Sequence, residues 1–144
     1  MLNIEDVIQY ATKKHKGQKD LSGQPYILHP LNLMLKMGND SERIVALLHD
    51  VIEDTDTTLL DLEIDLGLTD EMLVAIDLLT KDEKEDYMDM IKRIKKHPIA
   101  RKVKIADLEH NMDFHRTLGR ECMNEKDKNR IAKYYQARVY LIGE

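Results

Sequence analysis

Cysteine and large aromatic side chains are nearly missing from this sequence: it has one cysteine, no tryptophan and one phenylalanine in 144 residues. The lone Cys122 cannot close an intramolecular disulfide and excludes a sulfur-based structural zinc site, so a reducing, cytoplasmic setting is expected. No apolar run approaches the roughly 20 residues that a membrane-spanning helix needs. Met1-Leu2-Asn3-Ile4-Glu5-Asp6 places acidic residues where a secretory leader would carry positive charge. With a formal net charge of −5, the clustered positive surface of a general nucleic-acid binder is not expected. Prolines number three and glycines six, and no low-complexity tract is present, which speaks against disorder. The expectation is a single soluble domain over residues 1–144, with neither a nucleic-acid polymer nor a membrane as partner. That length leaves no room for a second catalytic domain.

What is present is helical periodicity. Asn3 is expected to cap a first helix in which Ile4, Val7, Ile8 and Ala11 recur at helical spacing, with Gly17 as its stop. Gln18 to Tyr26 reads as a loop, Pro30 as the start of a helix running to Met37, and Ser41 as the cap of a third. Thr55 to Thr58 reads as a turn before a short helix that ends near Gly67. Asp70 begins another, with Met72, Leu73, Ile76 and Leu79 as core candidates. Tyr87, Met90, Ile91 and Ile94 form a further apolar stripe, Pro98 starts the next helix, and Ile131, Tyr134, Tyr135, Val139 and Leu141 mark a terminal one. Gly119 to Lys128 is polar and aperiodic, the signature of a flexible connection. Strand signals are nearly absent, so an all-α helical bundle is expected.

The third segment carries the most information. Over Leu47-Leu48-His49-Asp50-Val51-Ile52-Glu53-Asp54-Thr55, a helix spanning about 41–54 would place His49 and Glu53 one turn apart on one face and Asp50 and Asp54 on the next. Ala46, Leu47, Val51 and Ile52 supply the apolar stripe, so His49 and Asp50 fall at or near the buried side. An unpaired carboxylate is costly there, and a bound cation removes the cost. His29, before Pro30, and Asp107, in Lys104-Ile105-Ala106-Asp107, complete a candidate ligand set of two imidazoles and two carboxylates. Mixed nitrogen and oxygen donors suit a first-row divalent ion such as Mn²⁺ or Fe²⁺. Metal in such a site polarises a bound substrate and lowers the pKa of bound water, while a nearby carboxylate accepts the proton; Glu53 and Asp54 are the candidates for that role. Acidic residues at a helix C-terminus oppose the macrodipole, which makes the pair unusual as mere surface. Asn111, one turn beyond Asp107, and Lys104, one turn before it, are candidates to hold a ribose or phosphate oxygen.

The order H…HD…D resembles the HD phosphohydrolase superfamily, and the surrounding words narrow the resemblance. They are His15-Lys16-Gly17-Gln18, Ser22-Gly23-Gln24-Pro25-Tyr26-Ile27-Leu28-His29-Pro30, Leu47 to Thr55, Leu79-Thr80-Lys81, and Val103 to Asp107 followed by His110-Asn111-Met112. Together they are similar to the hydrolase domain of the RelA/SpoT family and to the stand-alone small alarmone hydrolases over roughly residues 4–115. The resemblance implies an HD-domain bundle with a metal site between helices, Mn²⁺ as the ion, and removal of the 3′-pyrophosphate from guanosine tetra- and pentaphosphate. It implies that Glu53-Asp54 serves hydrolysis and that Asn111 contacts a phosphorylated nucleotide. The sequence leaves open which of Glu53 and Asp54 takes the proton.

The chain departs from the family's pattern in two places. Asp20-Leu21 stands where the family carries an Arg-Lys pair that engages the nucleotide, and Leu108 stands where Arg or Lys usually follows the metal-binding Asp. Lys16 and Lys19 are the nearby cations that would compensate for the first change. An HD phosphohydrolase of another nucleotide or phosphorylated metabolite is therefore the alternative reading, with a non-enzymatic nucleotide-sensing module behind it.

Overall fold

The computed structural model describes residues 2–113 and 124–143. Its elements are α1 (Ile4–Lys14), α2 (Leu28–Leu35), α3 (Asp40–Leu48), α4 (Val51–Asp54), α5 (Leu59–Leu66), α6 (Asp70–Leu79), α7 (Tyr87–Lys95), α8 (Pro98–Asn111) and α9 (Glu125–Ile142). Among the described residues there is no strand, only an isolated bridge between Lys19 and Pro25. The fold is an all-α bundle.

Capping residues set most boundaries. Asn3 accepts from the Asp6 N–H, Thr69 from Met72, Asp86 from Met88 and Asp89, and His97, ahead of Pro98 in the first turn of α8, from Ala100. Gly67 closes α5 in the left-handed region at φ 64°, where a side chain is strained. Three expected boundaries move. Helix α3 begins after Asn39, whose side chain accepts from Glu42 N–H, rather than at Ser41. Helix α2 begins at Leu28 and ends at Leu35; Pro30 fits inside its first turn because the first N–H groups of a helix have no partner within it. Glu125 to Lys128 is the first turn of α9, held by a capping box of Asn124 and Asp127, not a flexible connection. Gly119 to Met123, with Cys122 and His115, lie outside the described residues.

Helix α3 is the axis of the molecule. Ile44 to Leu48 are all buried, four of the five completely, as a helix surrounded by others requires. Full burial of each leucine contributes about 1.5–3 kcal/mol relative to exposure. Packed around it are α1, α2, α6 and α8, while α9 lies on α7 and α8. Because α2, α3 and α8 also pack on one another pairwise, side chains from the three meet at one point.

Candidate metal centre and cleft

The expected helix over 41–54 is two helices. His49 Nδ1 lies 2.6 Å from the Ala46 carbonyl oxygen, the acceptor that an unbroken helix would offer to the Asp50 N–H. Asp50 leaves the helical region at φ −107°, ψ 0°, and α4 starts afresh at Val51. His49 and Glu53 therefore do not share one continuous helical face. Glu53 and Asp54 lie within the single turn of α4, so the argument from an opposed macrodipole does not apply to them. The bend still delivers His49, Asp50, Glu53 and Asp54 to one cleft of about 370 Å³.

At the floor of that cleft His49, Asp50 and Asp107, with His29 packed against Asp107, each offer one ligand atom, and these atoms all lie within 4.8 Å of one another. His29 Nε2 is 2.8 Å from Asp107 Oδ1. His49 Nε2 is 2.8 Å from Asp50 Oδ2 and 3.6 Å from Asp107 Oδ1. His29, His49 and Asp107 are 2%, 2% and 5% exposed.

Protonation of His49 is the test of whether the donor set fits a cation. Its Nδ1–H donates to Ala46 O, which leaves Nε2 of the neutral ring as a lone pair facing two carboxylate oxygens. That Nε2 is buried and makes no hydrogen bond of acceptable geometry among the described residues. Lone pairs aimed at carboxylates need a positive charge between them, either a proton or a metal ion. Burial disfavours the proton, yet the Asp50 and Asp107 carboxylates outweigh burial and hold the imidazole well above its ordinary pKa. The residues thus fit a divalent ion.

Neighbouring groups hold these four residues in place. His29 Nδ1 is 2.6 Å from His110 Nδ1, and the two rings stack with centroids 4.9 Å apart and planes 5° from parallel. The Tyr26 hydroxyl donates to Asp50 Oδ2. Lys104 Nζ donates to Asp107 Oδ2 at 3.1 Å and the Asn111 amide to Asp107 Oδ1 at 3.0 Å. Burial would lower the Lys104 pKa, but the Asp107 charge more than offsets it, so the ammonium persists. His15, 2% exposed, faces Gln18 Oε1 through Nδ1 at 2.8 Å, and Gln18 in turn donates to the Asp54 carbonyl. Of these, Tyr26 is not marked by the sequence as a site residue, and His15 and His110 are only slightly favoured there for a supporting place. Tyr26 and His110, each three residues from a candidate ligand, are too ordinary to stand out, and His15, on the turn after α1, reaches the site only through packing.

The two acids differ. Glu53 Oε1 accepts from the Lys81 N–H at 2.7 Å. Partial withdrawal from solvent, then the charges of Asp50 and Glu53, push the Asp54 carboxyl up to about 6.

A second lobe of about 250 Å³ is lined by Lys19, Asp20, Leu21, Tyr26, Asn111, Arg130 and Tyr134, sharing Tyr26, Asn111 and Tyr134 with the first. Asp20 builds this wall: its Oδ1 accepts from Ser22 N, Ser22 Oγ and Gln24 N at 2.9, 2.8 and 3.0 Å. Lys16 is exposed and lines neither lobe. Leu108 is completely buried, so the residue after Asp107 belongs to the core and not to the cleft. Lys81, Lys133, Tyr87 and Tyr134 join the cleft without any adjacent sequence motif except Leu79-Thr80-Lys81.

No family model matches the chain. It is similar to a protein of Streptomyces coelicolor named GTP pyrophosphokinase, 36% identical over 144 residues that cover 91% of the chain and 17% of that protein. It is also similar to the guanosine-3′,5′-bis(diphosphate) 3′-pyrophosphohydrolase of Aquifex aeolicus, 33% identical over 90% of the chain and 19% of that protein. The chain thus spans less than a fifth of these relatives' length. Among solved structures, a metazoan SpoT ortholog described as hydrolysing ppGpp superposes with a TM-score of 0.75 at 24% identity, over 96% of this chain and 85% of that one. By sequence the chain is related to one segment of the RelA/SpoT-type proteins, and its fold is the HD-domain helical bundle of the SpoT-type hydrolase.

Proposed function

We propose that residues 1–144 form one HD phosphohydrolase domain that removes the 3′-pyrophosphate of guanosine 3′,5′-bis(diphosphate). The observation that carries this reading is the convergence of four ligand atoms within 4.8 Å on the floor of a cleft that also presents Glu53, Asp54 and three lysines. His29, His49, Asp50 and Asp107 would hold the ion, Mn²⁺ by the nature of the donors and by the relatives' pattern. When bound, the ion supplies Lewis-acid polarisation of a phosphate oxygen and lowers the pKa of an attacking water.

The chain's own residues supply the rest. Lys104 and Asn111 fix the Asp107 carboxylate from one side and reach the cleft from the other, where they neutralise and orient phosphate oxygens. Glu53 or Asp54 accepts the proton from water as the new bond to phosphorus forms. The bond from phosphorus to the ribose 3′-oxygen breaks, that oxygen takes up a proton, and pyrophosphate departs. Lys19 stands on the second lobe, where the nucleoside would lie. Cleavage of another phosphorylated nucleotide is the second reading, favoured by one observation: Asp20 and Leu21 line that lobe in place of two cations.

Product analysis tests the proposal. Incubation of the protein with guanosine 3′,5′-bis(diphosphate) and Mn²⁺ is expected to yield GDP and pyrophosphate, with no reaction in chelator. An intact nucleotide after incubation with Mn²⁺, or release of single phosphates instead, would refute it.

A further inference from the structure

The ligand set and the two acids leave one wall of the cleft unexplained. Lys81, Lys104 and Lys133 line it beside Tyr87 and Tyr134. Lys104 is committed to Asp107. Lys133 has no carboxylate within 4.0 Å among the described residues; its ammonium sits instead 4.1 Å from the centroid of the Tyr87 ring. Lys104 Nζ is 6.0 Å from the same centroid, so the Tyr87 ring links Lys133 to Lys104 and, through it, to Asp107 of the candidate ligand cluster. The Tyr87 hydroxyl is buried and makes no hydrogen bond among the described residues.

A ring face holds an ammonium in place without cancelling its charge, unlike a carboxylate. Lys133 therefore presents a full positive charge at a fixed point in the cleft. In the second lobe the loop contributes Lys19 beside Asp20 and Leu21, and Arg130 of α9 is paired to Asp127 at 3.0 Å. From this arrangement we propose that Lys133, with the Tyr87 hydroxyl, forms a subsite on α9 and α7 for the substrate's second phosphate chain, the one that is not cleaved. The subsite rests on the phosphohydrolase reading above. It makes Lys133 a residue that selects doubly phosphorylated substrates over those with a single phosphorylated end.

Steady-state kinetics with Mn²⁺ on guanosine 3′,5′-bis(diphosphate) and on guanosine 3′-diphosphate, which has a free 5′-hydroxyl, separate this role from a structural one. Lys133→Met is expected to raise KM for the doubly phosphorylated substrate by about tenfold, the scale of one charge-assisted contact, with kcat within about twofold. The KM for the truncated substrate should rise less than about threefold, and the difference between substrates should shrink as salt is raised. Lys133→Arg should restore the selectivity. An equal rise for both substrates, or none for either, would overturn the subsite. If neither substrate is cleaved, calorimetric binding of the same two nucleotides in chelator decides: selective loss of affinity in Lys133→Met keeps the subsite while the hydrolase reading falls, and equal affinities discard the subsite.

Discussion

At the floor of the cleft His29, His49 and Asp107 are 2–5% exposed and each is held by a further side chain or carbonyl. At the rim, the loop from Lys19 to Pro25 leaves Leu21 71% exposed and is tied down chiefly by its own Asp20. The floor is made by three mutually packed helices, so its geometry follows from the core. The rim is local and can change without disturbing that core, and Asp20-Leu21, one of the chain's two departures from the RelA/SpoT pattern it resembles, lies there. Chemistry and selectivity are thus built on supports of different stiffness.

Breaking the floor should have the largest effect. Asp107→Ala removes one ligand and strands Lys104, whose side chain is 13% exposed, as a buried charge without its partner; the expected loss is about 3–5 kcal/mol of stability, read by denaturant unfolding. If Asp107→Ala unfolds at the wild-type midpoint, the floor is not the rigid element. Next come Glu53→Gln and Asp54→Asn, which should keep metal and fold while lowering turnover by about 10²–10⁴-fold, the range of general acid-base assistance. Normal turnover in both would assign α4 to the surface.

The convergence at the floor was legible from sequence because each candidate ligand sits in a recognisable word: His29 ahead of Pro30, His49 beside Asp50, Asp107 between two apolar residues. The break between His49 and Asp50 was not, because apolar spacing runs through it unbroken and only the His49 bond to Ala46 interrupts the helix. The rim was legible only as a departure. In the sequence Asp20 stands only in place of a cation, whereas in the fold its Oδ1 organises the loop backbone, a role that depends on residues two and four positions on. Leu108 read as a missing cation and is instead core. Lys133 and Tyr87, 46 positions apart in the sequence, meet only through the packing of α9 on α7.

Changing the rim should have smaller consequences. Leu21→Lys should lower KM for guanosine 3′,5′-bis(diphosphate) by about two- to fivefold at low salt, the strength of an exposed ion pair, and less at high salt. Asp20 is the wrong residue to reverse in charge, since Asp20→Arg also removes three loop hydrogen bonds. A smaller effect still is expected from Asp54 on stability. Its folded pKa of about 6 lies above the ordinary aspartate value of 3.8, so the folded protein binds the proton more tightly and stability falls as pH rises between those values. In metal-free protein Asp54→Asn should therefore raise Tm slightly at pH 7 and not at pH 3; the same shift at both would deny the repulsion from Asp50 and Glu53.

The convergence of the four ligands on one ion is tested most directly by titrating metal-free protein with Mn²⁺ while following the free ion by electron paramagnetic resonance. One tight site per chain is expected, absent in Asp50→Ala, retained in Glu53→Gln, with wild-type turnover rising in proportion to its occupancy. Tight binding that survives Asp50→Ala, or turnover that reaches its full value before the site is filled, would contradict it.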